Sequence, residues 1–186
     1  MKSAMNNTHV VYPKTTLRNV IEIKQIVSLF YFEYAKDFVF SGESHNFWEF
    51  LYVDRGQVEV MADTTGYRLE QGDIIFHKPD EFHSVWANGI TAPNLYIASF
   101  LCDSPAMAFF ENKILKAGDQ ERAILSHIIK ERKRCFRGKL HERISEKDLL
   151  PDAEANTEFG SQQLLKMYLE MLMISFIRNN TPVKKN

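Results

Sequence analysis

Cysteine is nearly missing from this sequence of 186 residues, which has only Cys102 and Cys135. The two lie far apart and form no CxxC pair, so they indicate reduced, partly buried thiols and a cytoplasmic protein. No apolar run reaches the roughly 18 residues that a membrane span needs. The first residues also lack the apolar core of a signal peptide, so we expect no membrane partner.

Basic charge is not in excess either. The formal net charge is −1, whereas a domain that binds DNA by itself usually shows a basic patch. We therefore expect no specific DNA binding by this chain alone.

The eight glycines are scattered and form no phosphate loop, and neither GxSxG nor HExxH occurs. The length and the hydrophobic content of 45% suit one globular domain with a helical appendage.

What the sequence does contain is a series of short β-forming segments separated by turns such as 54–56 and 72–73. Short strands at a spacing of roughly 8–12 residues are typical of a sandwich or barrel. In the segment 45–53, alternation places His45, Phe47 and Glu49 on one face of a strand. An imidazole and a carboxylate on a buried face must be paired, ligated or hydrated.

The stretch from residue 45 to residue 83 resembles a cupin barrel with both of its motifs. His45 fits the second histidine of the first motif, Glu49 its glutamate and Gly56 its glycine. The position of the first histidine is taken by Glu43. The second motif runs from residue 72 and ends at His83.

The Gly72-Asp73 pair, the apolar run and Pro79 before His83 resemble the sensor domains of AraC-type transcription regulators more than cupin enzymes. The resemblance implies a mainly β protein with α-helices. Its fold would be a cupin-like β-barrel (double-stranded β-helix or jelly roll) followed by about three C-terminal helices. We expect an N-terminal arm at 1–24, the barrel at 25–102 and a helical region at 103–186. By the same resemblance, Val10, Val11 and Tyr12 are candidates for a lid over a ligand pocket.

The pattern after residue 103 changes to a helical period. We expect one helix from Ser104 to Gly118, a second from Asp119 with a solvated charged run at 130–134, and a last helix at 161–179. The last helix has an unusually wide apolar stripe. The stripe either packs into the core of its own chain or, as the resemblance implies, forms a homodimer interface through Leu165, Tyr168, Leu169, Leu172 and Phe176.

Three interpretations of the histidines remain open. In a metal-free pocket, His45, Phe47, Glu49 and His83 bind a small ligand, and no cofactor is needed. In a metal site, His45, Glu49 and His83 hold one divalent Zn, Fe, Mn or Ni ion, with Glu43 or Asn46 as a fourth ligand. In the third interpretation, the histidines and the glutamate satisfy each other. We expect His77, near the end of its strand, to lie at the rim.

The leading functional hypothesis from the resemblance is the effector-binding and dimerisation domain of an AraC-type regulator. It would sense a small molecule in the barrel and pass the signal to a DNA-binding helix-turn-helix domain absent from this chain. The alternative is a small metal-dependent cupin enzyme, an isomerase or dioxygenase. A third possibility is a module that binds a sugar or a small acid but neither regulates transcription nor catalyses a reaction.

Overall fold

Nine strands precede two long helices in the computed structural model, which describes residues 12–142, 144, 146–148 and 158–182. The strands are β1 (Gln25–Glu33), β2 (Val39–Glu43), β3 (Trp48–Arg55), β4 (Gln57–Ala62), β5 (Thr65–Glu70), β6 (Asp73–His77), β7 (His83–Ala87), β8 (Asn94–Leu101) and β9 (Ile114–Lys116). Two long helices follow, α1 (Asp119–Cys135) and α2 (Ser161–Asn180). Short 3-10 helices cover Pro105–Phe110 and Glu146–Asp148.

The strands form two antiparallel sheets, one in the order β1-β8-β3-β6-β9 and the other in the order β2-β7-β4-β5. Apolar side chains of both sheets meet in a core between them that includes Val53, Val58, Leu69 and Leu95. Gly56 has the positive φ of +78° that the tight β3–β4 turn requires. The predicted fold class, a cupin-like barrel followed by helices, is confirmed.

The predicted helix from Ser104 to Gly118 is wrong. Its first part is only the 3-10 helix Pro105–Phe110, and its second part is β9. Leu115 pairs with Ile74 and Ile114 with Ile75, so this segment completes the edge of the first sheet. The apolar spacing at 107–115 fits a helix as well as it fits this arrangement, and only the pairing with β6 decides between them. The sheet therefore extends past residue 102, and two long helices follow rather than about three.

The charged run at 130–134 is not a fully solvated face, which corrects that prediction. Glu131 and Arg132 are 3% and 1% exposed. The guanidinium of Arg132 donates hydrogen bonds to the carbonyls of Gly138 (3.2 Å) and Lys139 (2.9 Å). Because these bonds satisfy much of a buried cation, Arg132 fixes the chain that leaves α1 against the helix.

The apolar stripe of α2 packs mainly into the core of its own chain. Four of the predicted dimerisation residues, Leu165, Leu169, Leu172 and Phe176, are at most 1% exposed. They lie against α1 and the outer face of the first sheet. This placement corrects the predicted interface, because buried side chains offer no surface to a partner. Tyr168, the fifth residue, is half-buried and stacks on His127 at 4.9 Å.

The segment before β1 is exposed at 12–20 and docks on the protein only at its end. Ile21 and Ile23 are buried, and the Ile23 N–H donates to Glu170 of α2 at 2.9 Å. Of the proposed lid residues, Val10 and Val11 lie outside the described residues, and Tyr12 is 73% exposed. Among the described residues, no helix combines the length and apolar character needed to span a bilayer.

Candidate functional site

Four titratable side chains converge at one end of the barrel, three of them at least partly buried and one exposed. Glu43 ends β2, His45 precedes β3, Glu49 lies in β3 and His83 begins β7. One possible ligand atom from each lies within 4.8 Å of those of the other three. The pairing of Glu43 with His83 brings β2 to the site. We refer to these four residues as the histidine–glutamate cluster.

Backbone carbonyls orient both imidazoles of the cluster. Nδ1 of His45 lies 3.0 Å from the carbonyl oxygen of Phe47, and Nδ1 of His83 lies 3.2 Å from that of Glu81. A carbonyl can only accept, so each Nδ1 carries the hydrogen and directs Nε2 into the barrel. The two Nε2 atoms are buried and have no hydrogen-bond partner in the part of the chain that the structure describes. They lie 3.6 and 3.4 Å from the carboxylate oxygens of Glu49, which is long for a hydrogen bond.

Glu49 is held as a carboxylate at the centre of the cluster. The Ser99 hydroxyl donates to it at 2.6 Å, and Ser99 in turn contacts the Ser28 hydroxyl at 2.7 Å. Burial acts to raise the pKa of Glu49, but His45, His83 and Ser99 outweigh it and hold the pKa well below its usual range. Burial likewise acts to lower the pKa of His83, but the adjacent Glu49 carboxylate raises it above its usual value. The site therefore favours a negative charge that faces a positive one.

A second histidine–carboxylate pair lies behind the cluster, and the sequence did not reveal it. His77 is only 1% exposed, which corrects its predicted position at the rim. Its Nδ1 lies 2.7 Å from Glu81, and its ring stacks on His83 at 4.3 Å. Burial lowers the pKa of His77 despite the carboxylate. The spacing of four residues around Pro79 is the sequence signal that could have identified the pair.

The cluster opens onto two adjoining cavities. The deeper one has a volume of about 270 Å³ and is lined by aromatic rings, by Glu43, Glu49, His77 and His83, and by His141 from the segment after α1. Its aromatic wall consists of Phe30, Phe32, Tyr34, Phe38 and Phe40. The other cavity, of about 320 Å³, contains His45 and Phe47, whose rings stack at 3.7 Å. The structure thus brings together all four residues of the predicted ligand set, and β1 and β2 add most of the aromatic wall.

The cluster also fits a divalent metal. Two imidazole nitrogens and two carboxylates are the donor set that Zn, Fe, Mn and Ni accept, and both Nε2 atoms are free to serve. Glu43, although exposed, would supply the fourth donor, because its carboxylate rather than the Asn46 side chain lies beside the other three. Such an ion would act there as a Lewis acid toward a bound oxygen.

Comparison with known proteins finds a family that the barrel resembles. Residues 25–110 match the family model of the AraC-like ligand binding domain. The match covers the barrel and slightly less than half of the chain. No curated protein sequence matches the chain.

Several solved structures are also similar to this chain. An apo ToxT variant from Vibrio cholerae is 7% identical, with a TM-score of 0.51 over 89% of this chain and 60% of its own. The cupin domain of Cnp3 from Schizosaccharomyces pombe is 15% identical, with a TM-score of 0.38 over 44% and 58%. A cupin superfamily protein from Desulfitobacterium hafniense is 15% identical, with a TM-score of 0.33 over 39% and 62%. The present chain therefore spans less than two thirds of each of these three, and the ToxT match extends beyond the barrel.

Proposed function

We propose that the barrel binds a small-molecule effector at the histidine–glutamate cluster. The observation that carries this proposal is the pair of buried Nε2 atoms of His45 and His83, which have no hydrogen-bond partner among the described residues. His83 lines the aromatic cavity, and His45 lines the adjoining one. Buried polar atoms in native proteins are nearly always satisfied, so unpaired ones beside a cavity favour a ligand that completes them. The aromatic wall favours an apolar or aromatic body, with a hydroxyl or carbonyl group at the cluster.

The test is thermal stabilisation of the chain across a panel of sugars, aromatic alcohols and small acids. A compound that binds at the cluster raises the melting temperature of wild type. The same compound raises it much less in Glu49→Gln and His45→Ala. Glu22→Gln, which replaces an exposed glutamate, is the matched control and keeps the full shift. A compound that stabilises all four proteins equally would place the ligand elsewhere.

The effector signal is proposed to pass to a DNA-binding domain that is not among the described residues. Such coupling requires that the ligand favour one arrangement of the barrel and its helices over another. The segment with Leu140 and His141 is suited to this role, because it lies at the barrel cavity and leads on from α1. The chain alone is expected to show no specific DNA binding, and a sequence-selective mobility shift at nanomolar protein would contradict this.

Dimerisation is proposed through the exposed side of α2. Leu164, Met167 and Met171 are 36%, 51% and 41% exposed and recur at a spacing of three and four residues. This spacing forms a narrow apolar seam that a second copy of the same helix can match. Met171→Glu is expected to halve the mass measured by light scattering while the melting temperature changes little. A wild-type mass of 21.7 kDa, the mass of one chain, would contradict the proposal.

A metal-dependent cupin enzyme is the second candidate, favoured by the four converging donors of the cluster. It predicts one tightly held divalent metal per chain after purification without chelators. His83→Ala would lose that metal, and His127→Ala, which removes an exposed histidine, would keep it. Elemental analysis that finds no stoichiometric metal in wild type would reject this candidate and leave the metal-free pocket.

A further inference from the structure

A third cavity lies outside the barrel, between the outer face of the first sheet and α1. Its volume is about 470 Å³, within the range of small-molecule sites. Its wall on the sheet is a row of three tyrosines, because Tyr96 on β8 pairs with Tyr31 on β1 and with Tyr52 on β3. Residues of α1 and Leu140 complete the wall. We call this space the tyrosine cavity.

Two of the three tyrosine hydroxyls have no hydrogen-bond partner among the described residues. The Tyr31 hydroxyl is satisfied, since it donates to Asp54 at 2.7 Å and accepts from Asn94 at 3.1 Å. The Tyr96 hydroxyl is fully buried and unpaired, and the Tyr52 side chain is only 4% exposed. Burial raises the pKa of both hydroxyls, so both stay protonated and can donate. Unpaired donors on the wall of a cavity favour a ligand with an oxygen acceptor.

Positive charge lies at the open side of the tyrosine cavity. Lys130 and Lys133 are exposed, one turn apart on α1, and neither has an ion-pair partner in the part of the chain that the structure describes. Arg122 also lines the cavity, but its guanidinium is bonded to Asp119. The carboxylate of the wall, Asp54, is already engaged by a tyrosine. The two lysines therefore leave the rim attractive to an anion.

We propose that the tyrosine cavity is a second ligand site, specific for small aromatic carboxylates. The carboxylate binds at Lys130 and Lys133, and an oxygen at the far end of the ligand accepts from the hydroxyls of Tyr52 and Tyr96. The ring packs against the tyrosine row and the apolar side chains of α1. The site shares no lining residue with the barrel cavities, so the proposal stands independently of the effector site.

The test uses calorimetry on the full chain with three related probes. Para-coumarate has both the carboxylate and the distal oxygen, cinnamate lacks the oxygen, and para-coumaramide lacks the charge. Para-coumarate is expected to bind wild type with saturation at millimolar concentration and more tightly than either analogue. In Tyr52→Phe/Tyr96→Phe its affinity falls about ten- to a hundredfold, the loss expected for two hydrogen bonds. The affinity of cinnamate does not change in that variant.

The lysines are tested in the same way. Lys130→Gln/Lys133→Gln weakens both acids but not the amide, and the effect shrinks as salt is added. Lys36→Gln, which replaces an exposed lysine outside the cavity, is the matched control and leaves all three affinities unchanged. The tyrosine double variant is expected to melt no lower than wild type, because neither hydroxyl makes a hydrogen bond to another described residue.

Two results would overturn the proposal. The first is the lack of saturable binding of para-coumarate to folded wild type. The second is binding that survives the tyrosine double variant unweakened but is lost in Glu49→Gln, because the probe would then occupy the barrel.

Discussion

Replacement of Glu121 is expected to loosen α1 from α2. This carboxylate at the start of α1 is 2% exposed. It accepts hydrogen bonds from the Gly118 N–H (2.9 Å), the Ser175 hydroxyl (2.5 Å) and the Asn179 amide (2.7 Å). Glu121→Ala leaves the donors of Gly118 and buried Ser175 unpaired, at about 1–3 kcal/mol each. We therefore expect the free energy of unfolding to fall by about 2–5 kcal/mol, measured by urea denaturation followed by circular dichroism.

The pH dependence of the same contact has a defined sign. Burial acts to raise the pKa of Glu121, but the Ser175 hydroxyl and its other donors lower it below the ordinary 4.5. The stabilisation is therefore fully present above 4.5 and is lost as the pH falls through the folded-state pKa. The stability difference between wild type and Glu121→Gln should shrink on acidification.

The control is Gln120→Ala, which replaces an exposed neighbour. It should change the free energy of unfolding by less than about 0.5 kcal/mol. An equal, small effect of Glu121→Ala would refute the reasoning.

Three further predictions concern the chain around the barrel. Arg132→Met should lower the free energy of unfolding in urea by about 2–3 kcal/mol, because two backbone carbonyls lose their donor. Gly42→Ala should lower the melting temperature, because Gly42 has a φ of +106° and an added Cβ would lie 2.7 Å from a backbone oxygen. Gly66→Ala, whose Cβ would meet nothing within 4 Å, is its control in the same thermal scan. Ser99→Ala should weaken the affinity of a barrel ligand about three- to tenfold by calorimetry, because Glu49 loses the donor that positions it; an unchanged affinity would contradict that role.

The barrel and the centre of its site could be predicted because their signals are local. Alternation and turn residues define the strands, and the spacing of Glu49, Gly56 and His83 is characteristic of the family. The orientation of the two imidazoles depends on the carbonyls of Phe47 and Glu81, both only two residues from the histidine concerned. The orientation of the two imidazoles is thus determined largely by the short segments that carry the motifs.

The features that could not be predicted from the sequence depend on contacts between distant segments. The strand at 114–116 exists because β6 offers a free edge, and no pattern within 104–118 distinguishes it from a helix. Arg132 lies in a run of charges, and only the turn at 138–139 gives it a buried role. Tyr31, Tyr52 and Tyr96 come from three strands and become neighbours only through the register of the sheet. The apolar stripe of α2 could not decide between packing in the core and a dimer interface, because both need the same apolar residues.

The central claim is that the histidine–glutamate cluster contacts the barrel ligand. The most direct measurement is nitrogen-15 NMR of the imidazole side chains, with and without a saturating compound from the stabilisation panel. We predict that the Nε2 signals of His45 and His83 both move, because these atoms gain their missing partner. The signals of exposed His127 should stay in place. Saturation of the protein with both cluster signals unchanged would contradict the account.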